Sequence, residues 1–99
     1  MSERRLSGRT VLVVDDDPDI RGSIDLALRS EGASTQLAGD GATAVHMGQQ
    51  LRPDAVVLDM MLPRQSGFLV LEKLQEAEDP PVVVMITANQ GRRHMEYAR

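Results

Sequence analysis

The sequence predicts an α/β fold: a parallel sheet with helices on both faces, built from about four βα units. Three observations lead there. Aliphatic runs at residues 11–14, 55–58 and 82–86 are β-branched-rich and apolar at consecutive positions, the habit of strands covered on both faces. Segments with helical spacing lie between these runs. Breaker residues (Pro18, Gly32, Pro53, Pro80 and Pro81) fall at the borders, where helices start and stop.

The elements follow in order. Residues 1–9 are expected to form a flexible leader, and residues 10–99 a single domain. The run Val-Leu-Val-Val at 11–14 is the first strand. Ile20, Ile24, Ala27 and Leu28 then follow the i, i+4, i+7, i+8 pattern of an amphipathic helix that opens after Pro18 and stops before Gly32. Residues 34–38 read as a weaker, edge strand. Residues 42–51 form a second helix, with Asp40 or Gly41 near its N-cap and Pro53 beyond its end. A buried strand follows at 55–58. Phe68, Leu71 and Leu74 mark a third helix, closed off by Pro80 and Pro81. The last strong strand is 82–86, and residues 91–99 begin a fourth helix. The βαβαβαβα order requires right-handed crossovers.

Composition narrows the function. Ninety-nine residues, 41% hydrophobic and 26% charged, suit one ordinary globular domain. The absence of cysteine excludes a disulfide scaffold, a thiolate zinc site and a thiol nucleophile. A net charge of −4 and a pI near 5.0 are the wrong sign for gripping a phosphate backbone. Phe68 and Tyr97 are the only aromatic residues, too few for a base-stacking platform. No apolar run approaches the roughly 18 residues of a membrane span, and the basic start lacks the apolar core of a signal peptide. A cytoplasmic protein binding neither nucleic acid nor membrane is expected.

In a parallel sheet of this kind, ligands bind outside the carboxyl ends of the strands. Asp15-Asp16-Asp17, Asp59 and Thr87-Ala88 directly follow the three strong strands, so all should meet at one edge. Two unit charges about 4 Å apart interact by roughly 4 kcal/mol at an effective dielectric near 20. That is a large share of the roughly 5–15 kcal/mol that keeps a domain folded. The gathered carboxylates must therefore protonate or hold a cation. Oxygen-only ligands favour a hard ion, with Mg²⁺ the natural choice. A carboxylate beside it is a competent nucleophile toward phosphorus, and the Thr87 hydroxyl would bond a phosphoryl oxygen.

The segments Val11-Leu-Val-Val-Asp-Asp-Asp-Pro18, Val57-Leu-Asp-Met-Met-Leu-Pro63 with Gly67, and Val84-Met-Ile-Thr-Ala88 together resemble the receiver domain of two-component response regulators. They span most of the chain in that family's order and spacing. The resemblance implies a flavodoxin-like fold and a phosphoacceptor switch. Asp59 would take a phosphoryl group from the phosphohistidine of a sensor histidine kinase or phosphotransfer protein. Asp16 and Asp59 would bind Mg²⁺ through their carboxylates, Met61 through its backbone carbonyl and Asp15 through water. Thr87 would bond the phosphoryl group and move on activation, and the Ala88 amide would donate to it. Pro63 and Gly67 would shape the loop after Asp59. Such a domain relays a signal rather than turning over substrate as an enzyme, although self-catalysed gain and loss of phosphate stay open.

The family continues for roughly one more strand and helix, which carry a Lys that neutralises the phosphoryl group and an aromatic switch residue. Neither Lys73, the single Lys here, nor Tyr97 matches those positions, so the expectation is a receiver truncated at its C-terminus with its fifth unit missing. The fourth strand then becomes an edge, and part of the Ile20, Ile24 and Leu28 stripe loses its cover. Exposed apolar edges associate, so a second copy or another protein is expected to cover these surfaces. Two alternatives stay open on the sequence. One is a receiver-like interaction scaffold impaired in phosphotransfer because the Lys-bearing unit is absent. The other is an aspartate-nucleophile phosphohydrolase, which leaves Asp59 and the Pro63/Gly67 loop without a role.

Simpler roles serve elsewhere. Asp17 and Asp19 flank Pro18 as helix-start signals. Gly39-Asp-Gly41-Ala-Thr-Ala44 fits the dinucleotide fingerprint G-x-G-x-x-A but follows the second strand, not the first. An Asp-Gly turn into a helix accounts for it. Arg92-Arg93-His94 reads as a solvated helix face.

Overall fold

Consecutive apolar residues in a strand need cover on two faces and neighbours on two edges, and the run after residue 10 obtains both. A computed structural model describes residues 4–86. Its elements are β1 (Thr10–Val14), α1 (Pro18–Ser30), β2 (Ser34–Ala38), α2 (Gly41–Leu51), β3 (Ala55–Asp59), α3 (Gly67–Gln75) and β4 (Val82–Ile86). The four strands form one sheet in the order β2-β1-β3-β4, every pair parallel. Val13 pairs with Leu37 on one side and Val57 on the other. The helix expected at 91–99, Thr87 and Ala88 lie outside the described residues.

Alternate residues of each strand face opposite sides, and the core divides accordingly. Leu12, Val14, Val56 and Leu58 meet Ala44 of α2 with Val70 and Leu74 of α3 on one face. Val11 and Val13 meet Ile24 and Leu28 of α1 on the other, joined by Ala33. Helices therefore cover both faces. No residue of α1 is fully buried: Ile20, Ile24 and Leu28 are half-buried.

Polar side chains set the helix starts. Asp17 caps α1 with Pro18 in the first turn, Asp40 caps α2 through the Thr43 amide, and Ser66 caps α3 through the Leu69 amide. Each satisfies an amide that has no partner inside the helix. Gly32, beyond α1, has φ +98, a conformation open to glycine at little cost. A Cβ there would also lie 2.8 Å from Arg4 Cβ. The described part of the leader approaches at this point. The Leu6 amide donates to the Glu31 carbonyl at 2.8 Å, and its side chain packs beside Val11, Val13 and Ala33.

β2 forms one edge of the sheet. Among the described residues β4 forms the other, and its Val82 and Val84 are 68% and 50% exposed.

Candidate functional site

The site is built where β1 and β3, adjacent in the sheet, reach their carboxyl ends. Asp15 directly follows β1. Its amide donates to the Ala38 carbonyl at the end of β2 at 3.1 Å, which fixes the backbone. Its Oδ1 accepts from the Asp17 amide at 2.9 Å. The side chain is fully buried, and Oδ2 has no hydrogen-bond partner. Asp59 is the last residue of β3 and is also fully buried. Its Oδ1 accepts from the Met61 amide at 3.0 Å. Asp16 is exposed at the mouth.

The structure brings Asp15, Asp16 and Asp59 together, with one carboxylate oxygen of each within 4.8 Å of the others. The fourth acid, Asp17, is engaged elsewhere: its Oδ1 accepts from the amides of Asp19 at 2.9 Å and Ile20 at 3.3 Å. Burial pushes the Asp15 carboxyl above its usual range, and the charges of Asp59 and Asp16 push it further, partly opposed by the Asp17 amide.

The residues fit a hard divalent cation. All the donors are oxygen, and a buried carboxylate oxygen without a hydrogen-bond partner is costly unless a proton or cation meets it. Magnesium takes such ligands, typically one or two carboxylates, with water and phosphate oxygens completing its shell.

Around the acids, the loop after β3 is shaped by close packing. The Gly67 amide donates to the Met60 carbonyl at 3.1 Å. A Cβ at Gly67 would stand 2.5 Å from Met60 Cα and 2.9 Å from the Asp59 carbonyl oxygen, so only glycine permits this approach. Pro63 is exposed along the same loop and Met61 is half exposed. β4 ends at Ile86, which stands in register with Asp59 and accepts from the Met60 amide at 2.8 Å.

At the dinucleotide-like segment, Asp40 accepts from the Thr43 amide at 2.8 Å and from its hydroxyl at 3.1 Å. These bonds hold its carboxyl below the usual range. The start of α2 is thus occupied by its own side chain, as an Asp-Gly turn requires.

Two residues of this edge escape sequence reasoning. Arg21, on α1, places Nη1 2.8 Å from the Asp15 carbonyl oxygen. Gln65 buries Oε1 without a hydrogen-bond partner, against the place where a Cβ on Gly41 would lie. Neither contact is local in sequence, and only the arginine's charge could have hinted at a role beside an acid cluster.

A family model described as the response regulator receiver domain matches residues 11–98. The chain is 46% identical over 87 residues to TcrX of Mycobacterium tuberculosis, covering 86% of this chain and 37% of that protein. It is 44% identical over 78 residues to the DNA-binding response regulator MtrA of Mycolicibacterium smegmatis, covering 79% and 34%. The chain thus spans about a third of the length of these curated relatives. Among solved structures, the receiver domain of a sensor histidine kinase of Pseudomonas aeruginosa superposes with a TM-score of 0.77 at 30% identity, covering 89% of this chain and 75% of that one. That structure holds a magnesium ion coordinated in its active-site cleft.

Proposed function

The chain belongs to the response regulator receiver domain family, and on that premise we propose that Asp59 is its phosphoacceptor, charged by a sensor histidine kinase or a phosphotransfer protein. The observation that carries this reading is the approach of three carboxylates within 4.8 Å, two of them fully buried. An oxygen of Asp59 attacks phosphorus, the phosphorus–nitrogen bond of the donor phosphohistidine breaks, and the imidazole leaves and recovers a proton from solvent. The product is an acyl phosphate on Asp59. The Met61 amide, already bonded to Oδ1 at 3.0 Å, orients the carboxylate.

Asp16 and Asp59 would hold Mg²⁺ by their carboxylates, Asp15 through water and Met61 through its backbone carbonyl. When bound, the ion neutralises the acids and the charge on the transferring group. Thr87 and Ala88, outside the described residues, are proposed as phosphoryl contacts because they directly follow in sequence Ile86, the residue of β4 in register with Asp59. Pro63 and Gly67 keep the loop in place.

The phosphoryl group adds charge at one end of the sheet and favours one of two arrangements, so the domain serves as a switch. The kept acid cluster supports this role over that of a bare interaction scaffold. We place the relay in the cytoplasm, where ATP-dependent kinases charge their histidines; no helix among the described residues is long and apolar enough to cross a membrane.

The test is acetyl phosphate with Mg²⁺, followed by mass spectrometry. A gain of about 80 Da, one phosphoryl group, is expected on wild type and is absent from Asp59→Asn. A phosphoryl mass retained by Asp59→Asn, or mapped to another residue, overturns the assignment.

A further inference from the structure

We propose that Arg21 is a positioning residue for the cation site, holding the backbone of the β1–α1 loop so that Asp15 and Asp16 present their carboxylates together. The proposal rests on the reading of the acid cluster given above and adds to it a residue that no motif assigns.

The geometry is specific. Asp15 is held at its amide by the Ala38 carbonyl at 3.1 Å, at its side chain by the Asp17 amide at 2.9 Å, and at its carbonyl by Arg21 Nη1 at 2.8 Å. That carbonyl belongs to the peptide unit joining Asp15 to Asp16, so its orientation governs how the second acid follows the first. A guanidinium is a planar fork with little freedom once packed. Here Arg21 is half-buried, and its guanidinium lies beside Gly39, directly after β2, where a Cβ would come within 3.1 Å of Nη1 and 3.9 Å of Cζ. The absence of a side chain at Gly39 makes room for the arginine. Arg21 in turn stands one turn into α1, its own amide bonded to the Asp17 carbonyl at 2.9 Å. The loop carrying the acids is therefore closed at both ends by one residue.

Two effects of opposite sign follow from an arginine near a cation site. As a positive charge it would weaken Mg²⁺ binding, and its removal would tighten it. As a backbone clamp it pre-organises the ligands, and its removal would loosen binding. The neutral acceptor and the short bond favour the clamp, since outer-shell partners of this kind typically change metal affinity about 10–100-fold.

The experiment is calorimetric Mg²⁺ titration of the 99-residue chain and its variants at fixed ionic strength. Arg21→Met keeps an unbranched stem of the side chain and loses the donor; it is expected to weaken Mg²⁺ binding about tenfold, the low end for such partners. Arg21→Lys restores a cationic donor and is expected to recover most of that loss. Arg29→Ala, on the same helix but paired with Asp25, serves as the control and leaves the affinity unchanged. Should Arg21→Met fail to fold, Gly39→Val tests the same contact from the other side by crowding the guanidinium, with the same weakening expected. Wild-type affinity, or tighter binding, in Arg21→Met or its Gly39→Val substitute overturns this proposal and leaves the phosphoacceptor reading standing. A wild-type chain that binds no Mg²⁺ overturns both.

Discussion

Replacing Asp15 by Asn should make the metal-free domain more stable, although it alters a fully buried side chain. The amide oxygen of Asn can still accept from the Asp17 amide, which Asp15 Oδ1 does at 2.9 Å. The amide nitrogen supplies a donor where Oδ2 has no hydrogen-bond partner. What disappears is first the cost of burying a charge, the largest cause of the raised Asp15 carboxyl, and then repulsion from its neighbours. The three acids lie within 4.8 Å of one another, and two unit charges about 5 Å apart repel by roughly 3 kcal/mol at an effective dielectric near 20. Asp16 is exposed, so water screens its share, and Asp59 supplies most of the repulsion. A gain of about 1–3 kcal/mol at pH 7 is expected, read as a urea midpoint higher by about 0.3–3 M for a slope of about 1–3 kcal/mol/M.

The gain depends on pH with a definite sign. The folded-state pKa of Asp15 lies above its ordinary 3.8, so the native chain holds this proton more tightly than the unfolded one. Asp15 therefore lowers stability as pH rises from 3.8 through its folded value. The advantage of Asp15→Asn grows over the same window and vanishes below it. Magnesium narrows the gap, because a ligand at ten times its Kd stabilises wild type by about 1.4 kcal/mol while the variant has lost a member of the site. Urea melts in EDTA and in Mg²⁺, at acidic and neutral pH, provide the comparison. A variant less stable than wild type in EDTA at pH 7, or stabilised by Mg²⁺ as much as wild type, would show that the buried Asp15 charge is not a cost that the cation relieves.

Gly67→Ala drives a methyl into Met60 Cα, 2.5 Å away. It should cost about 1–3 kcal/mol in a urea melt and weaken any Mg²⁺-dependent amide shifts at Asp59, which precedes the displaced loop. Gln65→Met removes a buried oxygen with no hydrogen-bond partner at similar volume, and thermal melts should place it within about 1 kcal/mol of wild type, on the stabilising side. The Asp40 carboxyl should titrate below 3.8 by NMR because the Thr43 amide and hydroxyl hold its charged form. Its contribution to stability is present above 3.8 and lost as pH falls through the folded value, and Asp40→Asn removes that dependence while keeping a capping oxygen.

Strand positions were legible because a buried parallel strand leaves an unbroken apolar run. Residues 82–86 were read within their observed limits, while β1 and β3 each extend by one polar residue, Thr10 and Asp59. Even the weakly apolar β2 appears at 34–38, its place at the edge matching its polar sequence. The acid cluster was legible because adjacent strands in a parallel sheet deliver their following residues to the same end, a rule that needs no side-chain detail. Arg21 and Gln65 were not legible. Their roles depend on how a long side chain folds back across a loop, and neither hydrophobic period nor turn chemistry encodes that distance. Leu6 was missed for a related reason: one apolar residue in a basic segment carries no period, yet it packs beside Val11, Val13 and Ala33.

The cation site is tested most directly in a crystal of this chain soaked in Mn²⁺, an oxygen-seeking substitute for Mg²⁺, with the anomalous difference map as readout. One dominant peak is expected at coordination distance, roughly 2.0–2.3 Å, from carboxylate oxygens of Asp16 and Asp59. A map with no peak among Asp15, Asp16 and Asp59, or with its strongest peak at another acidic group, would contradict that site.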